Sequence, residues 1–411
     1  MSTSTQPSSQ KGPPGQPDIS YTPDLEKYLA RVKRREKESL DRTLPAGFPE
    51  RLTSDLVWKG DSVAQQYDWA YELSDADIRE LDNALHYFKS LDKPLGEVNQ
   101  TTFPLPGLHS TLRSISNEVH NGHGFKVIRG VPVTKYSHEE NFIIYAGIAS
   151  HVAPIRGRQD HQWQGKPADV VLAHIKDLTG TADPNKIGSP AYTAEKQVFH
   201  TDAGDVIALF ALSEAAEGGE SFLASSWQVY NELAAKRPDL IRTLSESWDV
   251  DEFGKVGKPY SSRPLLHYQP ATTEEPERMI IQYARRSFTG YWGLPRSFNI
   301  PPITEAQAEA LDALHYTAEK FAIALDFKQG DIQFANNLSI FHARGGFKDS
   351  VEKQRHLVRF WLRDPEYAWK TPAYLQDRWD RVYKDVTPEK SVFPLEPVIR
   401  NASLGENSQK S

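Results

Sequence analysis

The 411-residue chain contains no cysteine. Disulfides, thiolate zinc sites, iron–sulfur clusters and thiol nucleophiles are excluded, so any metal must be held by His, Asp or Glu. The 13 histidines bound that search. A basic excess is missing too, with 48 Lys plus Arg against 55 Asp plus Glu and a formal charge of −7. Nucleic acid is therefore not an expected partner. No apolar run approaches the ~18 residues of a membrane-spanning helix, so no membrane partner is expected. The opening MSTSTQPSSQKGPPGQP lacks the apolar stretch of a secretory signal, and the closing NASLGENSQKS carries no lipidation or retention signal. A cytoplasmic location is the expectation. Internal repeats and Gly-rich phosphate loops are absent as well.

What remains is an ordinary globular balance, 38% hydrophobic and 25% charged, with 9 Trp, 17 Tyr and 18 Phe to fill a core. The composition and signals along the chain suggest a disordered tail over 1–20, one domain over 21–400 and a flexible tail over 401–411. Residues 24–43 are a charged helical stretch, read as a solvated surface helix. A helix is predicted over 74–90, where Ser74 and Asp77 form a capping-box-like start and Ile78, Leu81, Leu85 and Phe88 recur at helical spacing. Further helices are expected over 107–121, 137–151, 226–246 (with a Pro inside) and 304–326, the last started by Thr304 and Gln307. GFKVIRGVPV at 124–133 reads as a strand running into a turn. From about 196 onward short β-like runs dominate: KQVFHTD, DVIALFAL, ESFLASS, RMIIQYA, DIQFANNLSIFHA and RHLVRFWL. Many short strands with inserted helices predict a mostly β chain, an antiparallel barrel or jelly roll with flanking helices.

Only two histidines have a carboxylate two residues on: His138 with Glu140, and His200 with Asp202. In a strand, residues two apart share a face, so one such pair could grip one ion. His138 follows a helix cap, where acidic residues commonly fill the first turn, and a structural account suffices. His200 sits in VFHTD, between β-like runs. That pair alone is weak, because composition produces about one by chance. Residues 331–363 strengthen it. His342 ends a β-like run, and Arg355 and Arg359 follow 13 and 17 residues later around RHLVRFWL. Residues four apart in a strand face the same way, and inward-facing arginines are costly unless each meets an anion. The anions could be small-molecule carboxylates or protein Asp and Glu.

The joint pattern resembles the Fe(II)/2-oxoglutarate-dependent dioxygenases of the TauD/TfdA (clavaminate-synthase-like) family. That family carries HxD/E, a distal His roughly 140 residues on, and an Arg a dozen or so residues later, often with a second Arg four further. Here these are His200, Asp202, His342, Arg355 and Arg359, with Gly218–Gly219–Glu220–Ser221 as the Gly-Gly-x-Ser/Thr element. The resemblance covers about 105–370. The gap from His200 to Ser221 is shorter than usual, and Ser stands where Thr is common. The resemblance implies a double-stranded β-helix. It implies Fe(II) held by His200, Asp202 and His342, and 2-oxoglutarate chelating that iron, with its distal carboxylate on Arg355 and Ser221. O2 would be the second co-substrate, and a substrate anion would meet Arg359. The implied reaction oxidises a C–H bond of a small carboxylate-bearing metabolite, an amino acid among the candidates, in secondary or specialised metabolism. Two rivals remain: a non-catalytic jelly roll that binds a small acid, and an iron oxidase that does not use 2-oxoglutarate. Barrels of this type often pair, so a homo-oligomer is compatible with the resemblance, and the sequence does not fix the oligomeric state.

Among other residues, Asn336 and Asn337 suggest a tight strand bend. Arg156 and Arg158 could line the entrance or lie on the surface. His120 and His123 are expected in a loop, His151, His161 and His174 are not expected as ligands, and His356 should face away from the site.

Overall fold

The computed structural model describes residues 12–253 and 260–400. The expected tail at 401–411 and most of the one at 1–20 lie outside the described residues. Residues 12–20, assigned to the tail by composition, pack against the domain. Gln16 donates to the Phe288 carbonyl at 2.9 Å and accepts from Arg296 at 2.6 Å.

Eleven strands form the two main sheets: β1 (Ala70–Glu72), β2 (Phe125–Arg129), β3 (Ile155–Arg156), β4 (Ala173–Lys176), β5 (Gln197–His200), β6 (Val206–Ser213), β7 (Ser221–Ser225), β8 (Ile323–Leu325), β9 (Ile332–Asn336), β10 (Ile340–Arg344) and β11 (His356–Arg363). The larger sheet runs β1-β2-β9-β6-β11-β3, with β4 also on β11, and the smaller runs β8-β7-β10-β5. Within these sheets pairing is antiparallel except between β1 and β2. This is a mostly β jelly roll with flanking helices.

Strand periodicity sets what each face buries. On β6, Ile207, Leu209 and Ala211 join Leu357 of β11, Ala335 of β9, Leu223 of β7 and Ile340 of β10 in one apolar cluster between the sheets. The alternate residues Val206, Ala208, Phe210, Val358, Phe360 and Leu362 pack outward under helices Asp75–Ser90, His109–Asn121 and His138–Val152. Phe360 shows the strength of that layer. Its ring stacks on Tyr145 at 4.3 Å between centroids, and its backbone N–H donates to the Tyr145 hydroxyl. Removing such a buried ring costs about 3–5 kcal/mol. The outer face of the smaller sheet, including Phe199, Ala224 and Phe341, packs on helices Ser226–Lys236, Pro238–Ser245 and Glu305–Phe321.

Capping boxes are present at Ser74/Asp77, Ser137/Glu140 and Thr304/Gln307. Three boundaries differ from expectation. The charged stretch is helical only over Leu25–Arg35. The 226–246 helix breaks at Pro238, which has no N–H to continue it and begins a second helix. The 304–326 helix ends at Phe321, and Ile323–Leu325 leaves to edge the smaller sheet as β8.

Candidate metal centre

The cleft between the sheets carries polar side chains where strand alternation would otherwise place apolar ones. His342 on β10 pairs directly with His200 at the end of β5. Both face inward, because Phe199 and Phe341 point into the outer core. Asp202 lies two residues beyond His200, where the chain has left the strand. Its loop is pinned by Asn337, whose Oδ1 accepts from the Asp202 N–H at 2.8 Å. The Asn337 Nδ2 donates to the Asp202 and Gly204 carbonyls at 2.9 and 2.8 Å. Asn337 thus does more than shape the bend read from sequence.

The three groups converge. One ligand atom from each of His200, Asp202 and His342 lies within 4.8 Å of the others. His200 Nε2 is 3.8 Å from Asp202 Oδ1, and His342 Nε2 is 3.9 Å from Asp202 Oδ2. These separations are too long for hydrogen bonds. They suit donors around one ion with bonds of about 2.0–2.2 Å after a small inward adjustment. The histidine chemistry fits as well. The Nδ1–H of His200 donates to the Val198 carbonyl at 2.8 Å, which makes Nε2 the acceptor; the Gln197 side-chain N–H donates to it at 3.0 Å, a contact that a metal on Nε2 would displace. Burial lowers the pKa of both imidazoles, His342 to about 3 with help from His200, so both are neutral donors at physiological pH. Burial alone would raise the Asp202 carboxyl, but Arg359, His342 and His200 hold it below the usual carboxylate range.

Asp202 is clamped on one oxygen. Oδ2 accepts from Arg359 Nη1 at 2.6 Å and from the Trp361 indole at 3.2 Å. Gln159 Oε1 accepts from Arg359 Nε at 2.8 Å. Arg359, expected at the substrate, therefore also orients a candidate ligand, and its buried Nη2 has no partner among the described residues. The reason is elementary: a buried guanidinium needs an anion, and Asp202 is within reach.

Arg355 is 5% exposed. Its Nε donates to the Gly219 carbonyl at 3.3 Å, and it makes no ion pair among the described residues. Burial, and then Arg344, push its pKa down to about 9. The Gly218–Gly219 pair has a steric purpose. Both residues have positive φ, and a Cβ on Gly219 would lie 2.9 Å from Arg355 Cδ. Arg355 lines a cavity of about 430 Å³ together with Gly219, Ala211, Leu325 and Leu357. His200, Asp202 and His342 do not line that cavity. The Ser221 hydroxyl donates to Gln333 Oε1 at 2.9 Å, and Gln333 Nε2 is buried without a partner among the described residues. Arg344, two residues after His342, donates through Nη2 to the Pro190 and Thr193 carbonyls, and its Nε and Nη1 have no partner among the described residues. Unpartnered buried donors on Gln333, Arg344 and Arg359 are what a pocket for an oxygen-rich acid requires.

The remaining candidates lie elsewhere. Arg156 donates to the Val98 and Gly96 carbonyls, and Arg158 pairs with Asp169. His356 faces away and contacts His174 at 2.8 Å. His151 contacts the Phe103 carbonyl. His120 is not in a loop but near the end of helix His109–Asn121, its Nδ1 2.7 Å from the Ser116 carbonyl. Sequence reasoning missed Gln159, Gln333, Arg344 and Trp361. Two of these had a signal: Trp361 is two residues from Arg359 and Arg344 two from His342, so strand alternation puts each on a site-facing side.

Residues 91–361 match the model of the taurine catabolism dioxygenase TauD, TfdA family. The chain is 35% identical over 367 residues to the taurine hydroxylase-like protein SAT17 of Stachybotrys chartarum, covering 87% of this chain and 92% of that one. It is 22% identical over 318 residues to FR-33289 synthase of Streptomyces rubellomurinus, covering 76% and 90%. Among solved structures, asparagine oxygenase in complex with Fe(II), 2S,3S-3-hydroxyasparagine and succinate superposes with a TM-score of 0.52 at 12% identity, covering 72% of this chain and 93% of that one. That family uses Fe(II), 2-oxoglutarate and O2. The chain belongs to the TauD/TfdA family and is a 2-oxoglutarate-dependent dioxygenase.

Proposed function

We propose that His200, Asp202 and His342 hold the Fe(II), that Arg355 binds the distal carboxylate of 2-oxoglutarate, and that the enzyme oxidises a C–H bond of a small carboxylate-bearing metabolite. The observation that carries the reading is the convergence of two neutral imidazoles and one clamped carboxylate in the cleft between the sheets. Three protein ligands leave open positions for co-substrate and O2. The chemistry supplied there is coupled oxidation: O2 delivers one oxygen atom to succinate, formed with CO2 from 2-oxoglutarate, and the other to the substrate C–H bond when the outcome is hydroxylation.

The chain's own residues bind, orient and exclude water. Arg359 and Trp361 fix the Asp202 carboxylate through Oδ2, which would leave Oδ1 available to the ion. Ser221 donates to Gln333 Oε1, and the Gln333 Nε2, without a partner among the described residues, is a donor available to the co-substrate. The unpartnered edge of Arg359 meets the substrate anion. An amino acid fits that description, and asparagine oxygenase by its name acts on one. We place the activity in specialised metabolism and in the cytoplasm.

The test is succinate formation by purified protein with Fe(II), ascorbate and 2-oxoglutarate, before and after His200→Ala. Succinate is expected only from the unaltered chain. Equal yields from both would remove the site assignment. Absence of succinate with metal bound would favour a sensor or an oxidase that does not use 2-oxoglutarate.

A further inference from the structure

We propose that Arg286 and Arg400 form a second anion subsite beside Arg359, so that the substrate is a small acid with two anionic groups. This rests on the iron and Arg355 assignments above and narrows the substrate class they allow.

Arg400 and Arg359 flank one ring. Their guanidinium carbons lie 5.6 and 5.0 Å from the Trp361 centroid. Both are held by Gln159, which accepts from Arg400 Nη1 through its backbone carbonyl at 3.3 Å and from Arg359 Nε through its side chain at 2.8 Å. Arg400 Nε also lies 3.2 Å from the Tyr192 hydroxyl. Arg286 approaches from helix Arg286–Thr289, where its Nη1 donates to the Gly188 carbonyl at 2.6 Å. It is within electrostatic reach of Arg400, Tyr192 and Asp202. Neither Arg286 nor Arg400 makes an ion pair among the described residues. Both are partly exposed.

The charges do not balance inside the protein. Asp202 acts on Arg286, Arg359 and Arg400 together. Iron on Asp202 would draw off that one countercharge, and the distal carboxylate of 2-oxoglutarate is taken by Arg355. Asp160 acts on Arg400 from the side. Arg378, which Asp202 also reaches, keeps Glu252 as a countercharge, while Arg286, Arg359 and Arg400 are left with a positive excess. Guanidinium does not shed its proton at neutral pH, even for Arg286, which burial and Arg400 push down to about 10. A monoanion at Arg359 leaves Arg286 and Arg400 repelling each other. A second carboxylate, sulfonate or phosphonate on the same small molecule relieves that repulsion and gives the planar forks their preferred partners.

The experiment uses matched probes on the Fe(II)-loaded protein, anaerobic and saturated with 2-oxoglutarate: 3-sulfopropionate, with two charges, and 1-propanesulfonate, with one. Calorimetric titration should show the dianion binding at least about tenfold tighter. In Arg286→Gln/Arg400→Gln that ratio should collapse toward one, and in Arg286→Lys/Arg400→Lys it should largely survive, because the charge is kept. Equal affinities in the unaltered chain, no measurable dianion binding, or a preference that persists in the double Gln variant would each overturn the proposal. A separate 2-oxoglutarate titration of the unaltered chain tests the earlier reading. Its failure would sink that reading, whereas 2-oxoglutarate binding with equal probe affinities would overturn this proposal alone.

Discussion

Replacing Arg355 by Gln separates the co-substrate pocket from the metal site. Arg355 is 5% exposed, donates one bond to a backbone carbonyl, and has no ion pair among the described residues. A carboxylate arriving there would form a buried, charge-assisted pair. Removing one partner from such a pair costs about 3–5 kcal/mol, or two to three and a half decades in Kd. The adjacent cavity of about 430 Å³ allows water to reach the orphaned carboxylate, so the lower end applies. Arg355→Gln should therefore weaken 2-oxoglutarate binding about 100-fold in an anaerobic calorimetric titration, with metal stoichiometry unchanged. The metal-free variant should be no less stable. The lost bond to Gly219 is worth about 1 kcal/mol, and it is offset by no longer burying a cation whose pKa burial pushes down to about 9. A variant that binds 2-oxoglutarate within about threefold of the original would refute this assignment of the pocket.

Three further outcomes follow from the same geometry. Asn337→Ala frees the loop carrying Asp202 and should weaken metal binding about 10–100-fold without touching a ligand, as a metal titration would show. Burial raises the Asp205 carboxyl to about 6 against Arg363 and Trp379, so the folded state keeps a proton that the unfolded chain releases. Asp205's own contribution to the stability of the metal-free protein should thus fall as pH rises from about 4 to 6, by up to ~3 kcal/mol, so Asp205→Asn should gain on the unaltered chain over that range and be the more stable form at pH ~7 in urea unfolding. A less stable variant there would contradict the sign. Gly147→Ala should lower the melting temperature by a loss of about 1–3 kcal/mol, since its Cβ would lie 2.3 Å from the Phe103 ring.

The parts of the site legible in sequence were those with a fixed local period. His200 and Asp202 stood two apart at a strand end, and Arg355 and Arg359 four apart around an apolar strand. The capping boxes gave helix starts for the same reason. What escaped depends on contacts between distant segments. Gln159 reaches Arg359 across 200 residues, and Asn337 reaches Asp202 across 135. No local pattern encodes such pairs. Trp361 and Arg344 were legible in principle by strand alternation, but a tryptophan and an arginine each have ordinary structural explanations. The boundary at Phe321 was missed because the apolar face of the helix runs on into β8, which buries Ile323 and Leu325 by a different period.

The central claim is that one ion is shared by residues 140 positions apart in the chain. It is tested most directly by counting metal. Purified protein titrated anaerobically with Fe(II) should bind one equivalent per chain, and His200→Ala, Asp202→Ala and His342→Ala should each abolish tight binding. Retention of a full equivalent by the His342→Ala chain, with affinity unchanged, would contradict the account.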